Sequence, residues 1–204
     1  MEKAASLELI AEGVWIWHAY DESVRTELFS TAIMADDGLV VMDPIDLAPG
    51  AMARLGALGP VAAIVLTNGN HSRAATRFRS RFGAPVLAHP DALGELTSTV
   101  DGSLHVGRRV GGSLELIELP GAGLGEVALL HENRSLHLGD ALVNLDSTGL
   151  AVLPDKYCSN HAQLAQSLRQ LRSRRVESVT FAHGQPLVVD ADTRLQDFLE
   201  NLTP

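Results

Sequence analysis

Short apolar runs separated by turn residues fill the first third of the chain. The first four are Leu7–Ile10, Val14–His18, Glu27–Met34 and Leu39–Met42. Asp37-Gly38 stands between the last two, and an Asp-Gly pair between apolar runs predicts a hairpin, because glycine tolerates the positive φ of a tight turn. Val61–Leu66 is a further apolar run and predicts a buried strand.

Helical spacing is found on either side of that strand. Leu47–Leu58 predicts a helix that stops at Gly59-Pro60. The helix predicted after the strand has an apolar face made of Ala74, Ala75, Phe78 and Phe82. Its other face carries Arg73, Arg77 and Arg81 at i, i+4 and i+8, a pattern typical of a solvated face, and Gly83 is a natural stop.

Hairpins and helices also alternate in the second half. Predicted hairpins join Leu104–Val110 to Ser113–Leu119, and Val127–His131 to Ser135–Leu138 through Glu132-Asn133-Arg134. The other predicted elements are strands at Pro85–Ala88 and Ser178–Ala182, a helix capped by Ser159 or Asn160, and a last helix at about Asp192–Leu202. Asn144–Ser159 is predicted to be irregular. Two β-rich halves that each end in helices predict a layered α/β or α+β fold, with two sheets between helix layers.

Composition narrows the class of protein. A chain of 204 residues suits one domain, residues 1–204, with a sizeable core. The formal net charge of −9 disfavours nucleic acid and anionic membranes as partners. We find no signal-peptide pattern and no apolar run long enough to span a bilayer, so we expect a cytoplasmic protein. The single cysteine excludes an internal disulfide framework.

A cluster of polar side chains follows the Val61–Leu66 run directly. It reads Thr67-Asn68-Gly69-Asn70-His71-Ser72-Arg73. A buried strand delivers such side chains to the rim of a sheet, where binding and catalytic groups concentrate. We therefore expect the functional site at this turn.

This turn resembles the Thr-His-x-His-x-Asp-His signature of the metallo-β-lactamase superfamily. Further segments resemble that family in the same order: Asp36–Asp43 its early hairpin, Leu119–Leu129 a Pro-Gly-His-Thr-x-Gly-Ser loop and strand, Leu136–Leu142 its Gly-Asp segment, and Phe181–Gly184 its last motif. The resemblance spans roughly Val14 to Pro186 and implies a four-layer αββα sandwich. It also implies a hydrolase in which two metal ions activate a water.

Most of the family's metal ligands have no counterpart here. The first two histidines of the signature correspond to Asn68 and Asn70, its aspartate to Ser72, its next histidine to Arg73, and the loop histidine to Ala122. Only the bridging aspartate, as Asp140, and the last histidine, as His183, match. An amide is a poor zinc ligand, and Arg73 would place a permanent cation where a metal would sit. We therefore predict that two-metal hydrolysis is lost and that the metal site is degenerate.

His71, Asp140 and His183 define a reduced candidate centre. Together they would hold one metal ion, zinc or iron, with an open position. Without a metal, His71 or His183 would be a general base polarised by Asp140. A structural alternative stays open as well: His71 would hydrogen-bond in a polar pocket or cap the helix, and an Arg73–Asp140 bridge would fill the vacated metal site.

Anion recognition is predicted beside that centre. A helix N-terminus together with Arg73 suits a carboxylate or phosphate. The candidate substrate-binding residues are Asn68, Asn70, Arg73 and Arg77. The predicted function is hydrolysis of a small anionic ester, thioester or lactone. The alternative is a non-catalytic protein that binds an anion or an assembly partner on the same fold, and a homo-oligomer is compatible with either.

Other chemical signals are weaker. Cys158 is either a half-buried filler or a nucleophile. The glycines at 121, 123 and 125 have Glu126 where a dinucleotide-binding loop needs its third glycine, so we reject that motif. Five other histidines show no ligand spacing and are predicted to be surface or partly packed residues: His18, His89, His105, His131 and His137.

Overall fold

The first half of the chain forms a sheet of seven strands that lie side by side in sequence order. The computed structural model describes residues 3–132 and 134–202. The strands are β1 (Glu8–Ala11), β2 (Val14–Asp21), β3 (Thr26–Ala35), β4 (Gly38–Met42), β5 (Val61–Leu66), β6 (Val86–Ala88) and β7 (Gly102–Ser103). Short turns make β1 to β4 antiparallel. From β4 onward the pairs are parallel, with helices α1 (Pro49–Leu58) and α2 (Ala75–Phe82) crossing between the first three of these strands.

The second half forms a sheet of five strands and a separate hairpin. The strands and helices, in chain order, are β8 (Arg109–Val110), β9 (Leu114–Glu118), β10 (Val127–His131), β11 (Ser135–Leu138), β12 (Leu142–Leu145), β13 (Gly149–Val152), α3 (His161–Leu168), β14 (Ser178–Phe181) and α4 (Ala191–Glu200). The sheet order is β14-β11-β10-β9-β8, in which only β11 and β14 are parallel, and β12 pairs with β13. Among the described residues, no helix is both long and apolar enough to cross a membrane.

The apolar residues form three layers of core, which stack the elements as helix, sheet, sheet, helix. Strand β4 shows why, because successive side chains of a strand point to opposite faces. Leu39 and Val41 pack towards α1 and α2, whereas Val40 and Met42 pack between the two sheets. The third cluster joins the second sheet to α3 and α4. Burial on both faces explains why this strand is apolar throughout, and the predicted αββα sandwich is confirmed.

Several predicted elements need correction. Residues 144–159 are not wholly irregular, because β12 and β13 form a hairpin there. Residues 104–108 are not a strand: β8 contains only Arg109–Val110, and β7 comes before them. Helix α2 begins at Ala75, so Arg73 lies in the preceding turn with a positive φ of 33° and does not continue the helical arginine face. The predicted hairpin between Val127–His131 and Ser135–Leu138 is present as β10 and β11, although Asn133 of its turn lies outside the described residues.

Candidate functional site

Four strand ends meet at one rim of the sandwich, and each delivers a polar residue to it. Strands β4 and β5 are parallel neighbours in the first sheet, and they are followed by Asp43 and Thr67. Strands β11 and β14 are parallel neighbours in the second sheet, and shortly after them come Asp140 and His183. Because parallel neighbours end at the same edge, each pair is brought together by strand direction alone.

Backbone hydrogen bonds join the two sheets at this rim. Phe29 N–H of β3 donates to the carbonyl of Ala182 at 2.9 Å, and Val127 N–H of β10 donates to the carbonyl of Thr67 at 2.9 Å. The polar residues of both sheets therefore face one another across a fixed gap.

Asp43 is the buried acceptor on which the site is built. Its Oδ1 accepts the Thr67 N–H at 2.9 Å, and its Oδ2 accepts the Thr67 hydroxyl at 2.6 Å. The same Oδ2 lies 2.9 Å from His71 Nδ1 and 3.6 Å from His137 Nε2. Burial alone would raise the pKa of Asp43, but the charge of His71, the contact of His137 and the charge of Arg73 outweigh it and hold the pKa far below its usual range. Asp43 is therefore an anion that fixes the ring of His71.

His71, Asp140 and His183 do come together. Asp140 Oδ1 lies 3.2 Å from His71 Nε2 and 3.2 Å from His183 Nε2. These are ion-pair distances, but neither contact is aligned as a hydrogen bond, so this buried oxygen has no hydrogen-bond partner among the described residues. The side chains of His71, Asp140 and His183 are 4%, 14% and 19% exposed, which makes His183 the group that a small molecule would meet first.

The protonation of His71 follows from its two carboxylate neighbours. Burial would lower the pKa of His71, but the charge of Asp43 reverses this and, with Asp140, raises the pKa to about 9 despite Arg73 nearby. The raised pKa favours the imidazolium at neutral pH, in which Nδ1–H donates to Thr67 Oγ1 at 3.0 Å beside Asp43 and Nε2–H faces Asp140. The pKa of Asp140 is held well below its usual value, because the charge of His71 and the contacts of both imidazoles outweigh the effect of burial.

Arg73 enters the same cluster from the turn before α2. Its Nη1 donates to the carbonyls of Phe29 at 2.7 Å and Asp43 at 3.2 Å, and its Nη2 donates to the carbonyl of Ala182 at 3.4 Å. Nη2 also lies 3.4 Å from His183 Nε2 and 3.3 Å from His71 Nε2. Among the described residues no ion pair joins Arg73 to Asp140 directly, so the predicted Arg73–Asp140 bridge is not formed. The guanidinium fills the site by bonding to backbone carbonyls instead.

The four charged groups balance one another. Burial lowers the pKa of Arg73, yet Asp43 and Asp140 oppose that effect, and a guanidinium remains charged at any physiological pH. Arg73 and His71 therefore supply two positive charges against the two negative charges of Asp43 and Asp140. A buried charge cluster is tolerated only when it is compensated in this way.

Glu126 is a second buried carboxyl group that sequence reasoning missed. Its Oε2 accepts from Asn68 Nδ2 at 2.9 Å, and its Oε1 accepts from Ala141 N–H at 3.1 Å. Burial and then the charge of Asp140 raise the pKa of Glu126 to about 8, so the neutral acid prevails at pH 7. The signal that could have found it is a charged residue placed directly before the wholly apolar start of the Val127–His131 run.

Two further residues of the cluster were also missed or misplaced. Asp43 was read only as the end of a hairpin, although it follows the strand next to β5. His137 was predicted to be a surface or partly packed residue, but it is fully buried, with Nδ1 2.9 Å from Thr180 Oγ1. Burial lowers the pKa of His137, so it lies as a neutral ring behind Asp43.

The other candidate residues lie around the cluster or outside it. Asn68 is buried against Glu126, and Asn70 is exposed at the rim, where its N–H donates to Asn68 Oδ1 at 2.9 Å. Arg77 is exposed on α2 and bonds Asp46 at 2.6 Å, so it is not part of the cluster. Cys158 is half-buried, and burial raises its thiol pKa, which disfavours the reactive thiolate.

The donor atoms fit one metal ion in spacing but not in protonation. The ligand atoms of His71, Asp140 and His183 lie within 4.8 Å of one another. The 3.2 Å contacts of Asp140 Oδ1 match the ligand spacing of about 3.3 Å expected for a tetrahedral ion with bonds of about 2.0 Å. An ion there would have to displace the proton on His71 Nε2 and share its space with the Arg73 guanidinium.

A second ion finds no comparable donor set at the positions of the family signature. Asn68 is engaged with Glu126, and Ala122 has no donor. Ser72 Oγ accepts the N–H groups of Thr97 at 2.8 Å and Ser98 at 3.3 Å, so it faces away from the cluster.

Solved structures of other proteins share this fold. A metallo-beta-lactamase from Pontibacter korlensis superposes with a TM-score of 0.73 at 17% identity, covering 96% of this chain and 99% of that one. A metallo beta lactamase from Erythrobacter litoralis gives 0.69 at 17% identity, covering 98% and 93%. A flavoprotein from Thermotoga maritima gives 0.69 at 12% identity, covering 98% of this chain and 61% of that one. At such identities the likeness shows the fold alone.

The fold and the arrangement of the rim define a protein of the αββα sandwich class. A family model described as the metallo-beta-lactamase superfamily matches residues 7–202. The chain therefore belongs to the metallo-beta-lactamase superfamily. No curated protein matches the chain.

Proposed function

We propose that this protein is a cytoplasmic hydrolase of small anionic esters, thioesters or lactones, and that it works at His71, Asp140 and His183 with Arg73 in the place of a metal cation. The observation that carries the proposal is Asp140 Oδ1, a buried carboxylate oxygen without a hydrogen-bond partner among the described residues. Natural proteins leave such groups unpaired where a water, an ion or a substrate completes them.

The charges of the cluster support a centre without metal. The pKa of His71 is raised to about 9, so a proton would compete with a metal ion for the lone pair of His71. The positive charge that a metal would supply is already present on Arg73, whose N–H groups are directed to three backbone carbonyls. An ion in this position would have to displace the guanidinium from these carbonyls.

The proposed reaction assigns one role to each residue. His183, the most exposed of the three, accepts a proton from a water placed beside Asp140 Oδ1. The water oxygen bonds to the acyl carbon, the bond from that carbon to the leaving oxygen or sulfur breaks, and the proton passes from His183 to the leaving group. Arg73 and His71 offset the charge of Asp140 during the transfer, because a preorganised cation needs no rearrangement as charge develops.

A substrate panel with a metal measurement tests this proposal. Protein purified without added metal or chelator is assayed against aryl esters, acyl thioesters and lactones, and its metal content is determined. We expect turnover that survives chelator and is lost in His183→Gln and Asp140→Asn, with His105→Gln as a histidine control outside the cluster. One zinc or iron per chain that is lost in His183→Ala would overturn the metal-free centre.

The alternative is a non-catalytic protein that binds an anion or an assembly partner. It becomes the better account if every ester, thioester and lactone is left unhydrolysed by the intact protein. The bonding of Arg73 weighs against a simple anion site, since three backbone carbonyls already accept its hydrogen bonds.

A further inference from the structure

Glu126 is a buried carboxyl group of the rim to which the proposed reaction gives no role. Its residue is 3% exposed, and its two carboxyl oxygens accept hydrogen bonds from different segments of the chain. Oε2 accepts from Asn68 in the turn after β5, and Oε1 accepts from the backbone N–H of Ala141 in the segment after β11. Glu126 itself stands at the start of β10, so one side chain connects three segments.

The neighbouring backbone leaves room for this connection only because residue 139 is glycine. A Cβ at Gly139 would lie 2.5 Å from Glu126 Oε1 and would also collide with the hydroxyl of Thr67. Ala141 follows Asp140 directly, so the bond from its N–H acts on the position of the Asp140 backbone. The closeness of Glu126 to the Asp140 segment is thus built into the sequence at residues 126, 139 and 141.

We propose that the buried Asn68–Glu126 pair is a polar cross-link that ties together the three segments at the rim and positions Asp140 for the reaction, in place of a bound metal ion. The cross-link does not depend on the proposed function. Only the claim that it positions Asp140 for a reaction rests on that function.

The direction of the hydrogen bond between the two side chains makes the proposal testable. Asn68 Oδ1 already accepts the N–H of Asn70 at 2.9 Å, which fixes the amide so that Nδ2 is the atom facing Glu126. In Glu126→Gln, with Gln Oε1 still accepting from Ala141, two amide NH₂ groups face each other. In Asn68→Asp, two carboxyl groups face each other. In the double variant, the Asp at 68 accepts from the Asn70 N–H and from the Gln Nε2 at 126. All the original hydrogen bonds are then present again, and only the bond between residues 68 and 126 has its donor and acceptor exchanged.

The experiment is a thermal-unfolding cycle over the intact chain, the two single variants and the double variant. Amide hydrogen exchange at Ala141 N–H provides a local readout. Glu115→Gln is the matched control, because it removes a carboxylate that pairs with Arg174 away from the rim. We expect each single variant to lower the unfolding midpoint and speed exchange at Ala141, the double variant to restore both, and the control to leave exchange at Ala141 unchanged.

Positioning adds a kinetic readout that a purely structural role would not move. In an active enzyme, Glu126→Gln lowers kcat by about 10–100-fold with KM unchanged, the size expected for a displaced catalytic group, and the double variant recovers kcat. Additive losses in the double variant, or a neutral Glu126→Gln, would overturn the cross-link. If either single variant fails to fold, the double variant must still fold, and its failure would also refute the proposal. A cycle that shows rescue in a protein inactive on every substrate refutes the hydrolase proposal and leaves the cross-link standing.

Discussion

Raising the pH from 6.5 to 9 should lower the free energy of unfolding through the titration of His71. The pKa of His71 rises from 6.5 in an open chain to about 9 in the fold, because Asp43 and Asp140 flank the ring. Between these values the native state holds a proton that the unfolded state has lost. Stability therefore falls as pH rises through this window, while below pH 6.5 the contribution of His71 is fully present.

The size of this loss of stability follows from the difference between the pKa of His71 in the unfolded chain and its pKa in the fold. A difference of about 2.5 pKa units corresponds to an upper bound of about 3 kcal/mol at about 1.4 kcal/mol per unit. Glu126 acts in the same direction, because its pKa rises from 4.5 to about 8 and the native state again holds the extra proton. Because the two contributions add, we expect the free energy of unfolding to drop by about 1–5 kcal/mol between pH 6.5 and 9.

Urea unfolding at a series of pH values measures this free energy, and NMR of the imidazole nitrogens assigns the titration to His71. The His71 signal of the native protein should titrate near pH 9, and the free energy of unfolding should fall between pH 6.5 and 9 and level off above that pH. A His71 ring that is neutral at pH 7, or a free energy of unfolding that is flat or rises across the window, would refute the charge assignment of the whole cluster.

Further outcomes follow from single contacts. Gly139→Ala places a Cβ 2.5 Å from Glu126 Oε1 and should lower the free energy of unfolding by about 1–3 kcal/mol; an unchanged thermal midpoint would contradict the close approach. Arg77→Gln removes a half-exposed pair with Asp46 and should change that free energy by less than about 1 kcal/mol, measured in the same way. The thiol of Cys158 should react with an aromatic disulfide reagent more slowly than free cysteine at pH 7, because burial raises its pKa; faster reaction would reopen its role as a nucleophile.

The architecture could be predicted from the sequence where a strand is buried on both faces. The Val61–Leu66 run is bounded as predicted, and the hairpin around Asp37-Gly38 is present with strand ends within one residue of those predicted, because burial and turn chemistry both leave a local pattern. The strands β7, β8 and β13 leave little pattern, since each has only two to four residues and is only partly buried. Their formation depends on neighbours that are distant in sequence.

The residues of the candidate site also divide into those that the sequence predicts and those that it does not. Asp140 and His183 could be predicted because their segments resemble family motifs, and His71 because it lies in the polar turn after β5. The structure brings these three residues together. Asp43 and Glu126 could not be assigned, because their roles depend on which strands are neighbours and on the approach allowed by Gly139. The direction in which the Arg73 guanidinium points could not be predicted from the sequence either, because it is set by three backbone carbonyls from different segments.

The positive charge at the rim of this protein is part of the polypeptide itself. Arg73 is translated with the chain and bonded to carbonyls of both sheets, so folding alone places this charge at the rim. A metalloprotein must acquire its ion after synthesis and can lose it when the cell is starved of zinc or iron. The proposed metal-free centre would have no such dependence, and its activity would follow the abundance of the protein and the acidity of its surroundings, whatever the supply of trace elements.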